Sequence, residues 1–175
     1  MNTEDKKPKD ILNIAIQGTD TELVNQKSDL RKYMNTTILT ELLKRWRAST
    51  NEELRSSLFQ IFADIKEQEA LPFVLESIEQ EENIERKNEL ISILWMSSID
   101  ASENLVDLVN MALEGNYMTV VEISTVIESF DSEFGEDEVM ESMYQIDEKL
   151  LDVQDPELST MLVDLKEVIN KLNVT

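Results

Sequence analysis

Ala70-Leu71-Pro72-Phe73-Val74-Leu75-Glu76-Ser77-Ile78 is followed by a short charged turn and then by Ile84-Glu85-Arg86 and Leu90-Ile91-Ser92-Ile93-Leu94. Val74, Leu75 and Ile78 fall on one side of a helix, and so do Leu90, Ile93 and Leu94. Pro72 stands at an early helical position, where its missing N–H costs little. Both apolar sets recur along the chain. The second returns 32 residues earlier as Leu58, Ile61 and Phe62, and 33 residues later as Ile123, Val126 and Ile127. The first is preceded by Leu42, Leu43 and Trp46 and followed by Leu108, Val109 and Ala112. Two amphipathic helices that alternate with this period predict stacked pairs, each burying its apolar face against a neighbour.

Working outward gives about four antiparallel pairs between Asn35 and Leu172. Thr36 or Thr37 is expected to cap the first helix, and Thr50 with Glu53 fits a capping box for the second. Ser102 is expected to cap a helix that Gly115 ends, and its partner runs from Tyr117 to Phe130. The acidic loop Asp131–Asp137 leads to a helix with Val139, Met143, Ile146 and Leu150. Asp155-Pro156-Glu157 opens a terminal helix with Leu158, Leu162, Leu165 and Ile169. The expected class is all-α, a right-handed α-α superhelix. Residues 1–34 form an N-terminal extension with one or two short helices, and residues 35–175 form the repeat domain. In the extension, a helix is expected over Ile11–Ile16, ending at Gly18, and a second capped by Asp20 or Thr21.

Composition narrows the function. Only 3 Gly and 3 Pro occur among 175 residues, which suits helices joined by short turns. The chain has no Cys, so no disulfide, thiolate or cysteine-ligated metal chemistry is open to it. It has no His either, which removes the usual general base and the commonest metal ligand. No apolar run is long enough for a membrane span, and the charged N-terminus lacks a signal-like apolar region. A cytoplasmic setting is expected, in which Asn35 and Asn173 are chance matches to the glycosylation pattern. The net charge is −21. Residues 1–66 hold 11 basic and 10 acidic residues, so the imbalance lies wholly beyond residue 66. Such a surface repels phosphate backbones and favours a basic protein or a Lys/Arg-rich peptide.

The segments over 70–94 resemble HEAT or HEAT-like repeats, which show a Leu-Pro start to the first helix and a hydrophobic–Arg pair early in the second. Leu54-Arg55 is similar, whereas Val120 replaces the basic residue in the next pair. The resemblance spans residues 36–172 and implies a curved α-solenoid that serves as an interaction scaffold. A branch of that family excises damaged DNA bases with a basic concave surface, which the acidic block here does not fit.

Candidate contact residues follow from charge and aromatic placement. Glu85 and Glu89 share one helix, Glu122 and Glu128 the next, and Glu89 and Glu122 are 33 residues apart. Stacking would align such positions into an acidic stripe, although charged helix faces are commonly just solvated. Trp95 lies beside the core stripe and pairs with Ile91 at i, i+4, so it reads either as a contact residue or as packing against a neighbour. Trp46 reads as core. Lys44, Arg45 and Arg47 form the one dense basic cluster, either a route to homo-oligomers or the solvated side of a helix. Met140 and Met143 read as core filler.

Two stretches carry metal-site patterns. Glu81-Glu82-Asn83-Ile84-Glu85 matches the E-E-x-x-E element of all-α nucleoside triphosphate pyrophosphatases, and the competing function is a Mg²⁺-dependent hydrolase using Glu82 and Glu85, with Glu128 and Asp131 as a second element. Asp131–Ser142 resembles a calcium loop but has Gly135 at a ligand position, Glu136 where Gly belongs and Ser142 in place of the closing Glu. The leading expectation is a non-enzymatic module, with no cofactor, metal or catalytic residue, that binds a basic partner as a scaffold, adaptor or charge-mimicking inhibitor. No nucleic acid and no membrane are expected.

Overall fold

Apolar residues three and four apart produce eleven α-helices in the computed structural model, which describes residues 3–175, with side chains described from Lys7 onward. Two compact units result, one comprising Met1–Glu82 with Met96–Ile99, the other Asn83–Trp95 with Asp100–Thr175.

The first unit contains α1 (Thr3–Gln17), α2 (Asp20–Asn25), α3 (Lys27–Lys32), α4 (Thr36–Ala48), α5 (Glu52–Phe62) and α6 (Leu71–Glu79). Helices α1, α4 and α6 lie in one row, with α2, α3 and α5 in another behind it. Residues 7–34 pack on the rest of the unit: Ile11, Ala15, Leu23 and Leu30 are buried. Trp46, fully buried, lies at the centre with Leu42, Leu43, Leu58 and Phe62. Each such side chain contributes roughly 1.5–3 kcal/mol of transfer free energy.

Hydrogen bonds and ion pairs repeat the period of the sequence. Arg31 pairs with Asp64, Lys27 with Gln60, and Arg47 Nη1 donates to Gln80 Oε1 at 2.7 Å, each 33 residues along the chain. Arg31 also donates to the Gln60 carbonyl at 2.9 Å.

The second unit contains most of α7 (Ile84–Met96), with α8 (Leu105–Glu114), α9 (Tyr117–Glu128), α10 (Glu136–Asp152) and α11 (Pro156–Ile169). Helix α8 packs on α10 and α9 on α11, while α8–α9 and α10–α11 form the pairs. Two short strands, β1 (Glu133–Phe134) and β2 (Asn173–Val174), pair in parallel and tie the loop after α9 to the C-terminus. Phe134 of β1 packs against Phe130, with ring centroids 5.8 Å apart and the rings tilted by 36°.

Several caps differ from the sequence expectation. Asn35, not Thr36 or Thr37, caps α4, its Oδ1 accepting from Ile38 N–H at 3.0 Å. Asn51, not Thr50, caps α5 by accepting from Glu53 and Leu54 N–H. In both cases an asparagine stands next to the threonine, and its side-chain carbonyl reaches N2 or N3. Thr19, rather than Asp20 or Thr21, caps α2 in a reciprocal box with Glu22. Ser102 opens a single 3-10 turn before α8 rather than capping it. Helix α1 starts well before Ile11 and carries Pro8 inside it, because the Lys- and Glu-containing segment before Ile11 is itself helix-compatible.

Candidate functional site

Helix α7 turns one face toward α9. Asn88 is buried on that face, and its Oδ1 accepts from Thr119 Oγ1 at 2.8 Å. Asn88 Nδ2 donates to Asn116 Oδ1 at 3.3 Å. Asn116 in turn caps α9, accepting from Thr119 N–H at 3.0 Å while its own N–H donates to Thr119 Oγ1 at 3.1 Å. This closed set satisfies the buried polar atoms and fixes the register between the two helices.

Seven residues beyond Asn88, two turns along the same face, stands Trp95. Its Nε1–H donates to Glu122 Oε2 at 2.7 Å, and the side chain remains 39% exposed. The bond holds the ring by its edge and leaves part of its surface to solvent. It also fixes a carboxylate beside an aromatic ring, an arrangement suited to an organic cation. A cation over such a ring gains roughly 0.5–2 kcal/mol, depending on desolvation. The first unit uses the same chemistry internally: the Arg55 guanidinium lies 4.5 Å from the Trp46 ring centroid, and Lys32 Nζ 5.2 Å from that of Tyr33.

Trp95 and Glu122, both candidates from the sequence, are thus brought together. Glu85 and Glu89 are exposed on α7, on an arc about 80–120° around the helix from Trp95. Glu128 lies on another side of α9 and, with Phe130, Val168 and Lys171, lines a cavity of about 230 Å³ facing α11. The candidates therefore do not form one wall: Trp95 and Glu122 touch, Glu85 and Glu89 share a neighbouring arc, and Glu128 stands apart.

The polar bridge of Asn88, Asn116 and Thr119 was not read from the sequence. Asn116 and Thr119 carry the spacing of a capping box, which was the available signal, but Asn88 stands in the charged run Glu85-Arg86-Lys87-Asn88-Glu89, where a polar residue reads as solvent-facing. The basic cluster is engaged within the chain. Lys44 pairs with Glu41 at 2.8 Å, Arg45 with Asp20 at 3.4 Å, and Arg47 bonds Gln80 and approaches Glu81 at 3.7 Å. Glu81 is consequently buried, at 7% exposure, against Arg47 rather than part of an open acidic surface.

Among the described residues no three acidic side chains converge as a metal site. Ser142, at the closing position of the calcium-like loop, is buried in the core, and Glu133 lies in β1. No helix among the described residues is long and apolar enough to cross a membrane. No protein-family model, curated protein or solved structure matches the chain.

Proposed function

We propose that this protein is a HEAT-like interaction module of the cytoplasm whose acidic second unit binds a basic protein or a Lys/Arg-rich peptide, without catalysis. The two rows of helices in each unit, and side chains that meet partners 33 residues away, support a right-handed solenoid of about four antiparallel pairs. Equivalent positions in neighbouring repeats would then lie side by side.

The observation that carries the binding proposal is the 2.7 Å bond from Trp95 to Glu122 at a partly exposed position. An arginine or lysine of the partner stacks on the indole and pairs with the Glu122 carboxylate. Glu85 and Glu89, on the next arc, steer further basic residues toward it. Charge complementarity speeds association, and the desolvated aromatic anchor supplies most of the affinity.

The test is capture from an extract of the source cells on immobilised protein, eluted by a salt gradient. Basic proteins should elute, and reversing Glu85, Glu89 and Glu122 to Lys should abolish their capture while the far-ultraviolet circular dichroism stays helical. Undiminished capture by the triple variant would contradict the proposal.

A further inference from the structure

Helix α10 is held by Val139, Ser142 and Ile146, all buried, and packs on α8 and α11. Its outer side is unusual. Met140, Tyr144 and Leu151 are 60, 64 and 77% exposed, the three most exposed large apolar side chains described. Spacings of four and seven residues place them within an arc of about 40°, over a length of about 16 Å. Half-buried Met143 and Leu150 continue the apolar surface toward the core. On the other flank the exposed residues are Asp137, Glu141, Glu148 and Asp152. Asp147, within the stripe, is paired with Lys166 of α11, and Lys149 points roughly 140–180° away from the stripe.

An apolar stripe beside a row of carboxylates has a matching complement. We propose that this face of α10 docks a basic amphipathic helix of another protein. Its apolar residues cover Met140, Tyr144 and Leu151, and its Lys or Arg side chains meet the acidic flank. Helix-on-helix docking of this kind is read through anchors at i, i+4 and i+7. A second copy of this chain would bring two acidic flanks together, each on a protein of net charge −21. Anionic lipid or nucleic acid would meet the same repulsion. A purely apolar helix would desolvate the carboxylates without compensation. The proposal is independent of the Trp95–Glu122 site, since it concerns another helix and relies on apolar anchors.

The probe is a labelled synthetic helical peptide with leucines at i, i+3, i+4 and i+7 and lysines elsewhere. A control peptide carries glutamates in place of the lysines. Fluorescence anisotropy with the full chain should show saturable binding of the lysine peptide and none of the control. Tyr144→Ala with Leu151→Ala should weaken binding by about tenfold or more, the loss expected of removed anchor residues. Circular dichroism of the double variant should match the parent, as both positions are exposed. Three results would overturn the proposal: absent binding, equal binding of the control peptide, or equal binding by the double variant. So would a dimer of the parent in sedimentation that the double variant loses, because a second copy would then occupy the face.

Discussion

The side chain of Thr119 fills the space into which a Cβ on Gly115 would project, well inside van der Waals contact with three of its atoms. Gly115 has an ordinary negative φ, so the glycine is there for room and not for backbone freedom. Thr119 cannot yield, because its hydroxyl is held by Asn88 and Asn116. Gly115→Ala should therefore destabilise the protein by about 1–3 kcal/mol, the usual range for overpacking. Chemical denaturation measures it, and an unchanged midpoint would show that the turn adjusts freely.

Thr119→Val keeps the shape and removes the hydroxyl. Asn88 Oδ1 then loses its 2.8 Å donor and the Asn116 N–H its acceptor, in a largely buried setting. A loss of about 1–3 kcal/mol is expected, since the partners are left unsatisfied and not merely unbonded. A Thr119→Ser variant, which retains the hydroxyl, should recover part of it.

Helix pairing was legible because apolar residues at i, i+3 and i+4 must find a neighbouring surface, as Leu90, Ile93 and Leu94 do. Other features were not legible, for physical reasons. Thr36 and Asn35, or Thr50 and Asn51, are chemically equivalent cap candidates, and one residue of backbone geometry chooses between them. Thr19 and Glu22 did carry the capping-box spacing, and their box is present. The parallel pairing of Glu133–Phe134 with Asn173–Val174 is too short to leave a periodic trace. Trp95 and Glu122 could each be picked out, one as an aromatic outside the core stripe and the other by charge. Their bond depends on the spacing of two helices, which no local pattern encodes.

Glu22 supplies a pH-dependent prediction. Hydrogen bonds from the Thr19 backbone N–H, and then from its hydroxyl, hold the Glu22 carboxyl below the usual carboxylate range. A depressed folded-state value means the stabilisation is present above the unfolded-state value and is lost as pH falls through the folded one. Glu22→Gln should thus be less stable than the parent at neutral pH. The gap should close as the solution is acidified through and below the carboxylate range. A gap independent of pH would assign the effect to shape and not charge.

The central claim is that the Trp95 ring and the Glu122 carboxylate together receive a cationic side chain. The chain has two tryptophans, one fully buried at Trp46 and one partly exposed at Trp95, so the indole N–H resonances in a nitrogen-15 correlation spectrum provide a probe and an internal control. On titration with an arginine- and lysine-rich peptide, the Trp95 resonance should shift saturably while Trp46 stays in place, and Glu122→Gln should weaken the response. A Trp95 resonance that stays put while the peptide binds, or a shift unaffected by the loss of the Glu122 charge, would contradict the account.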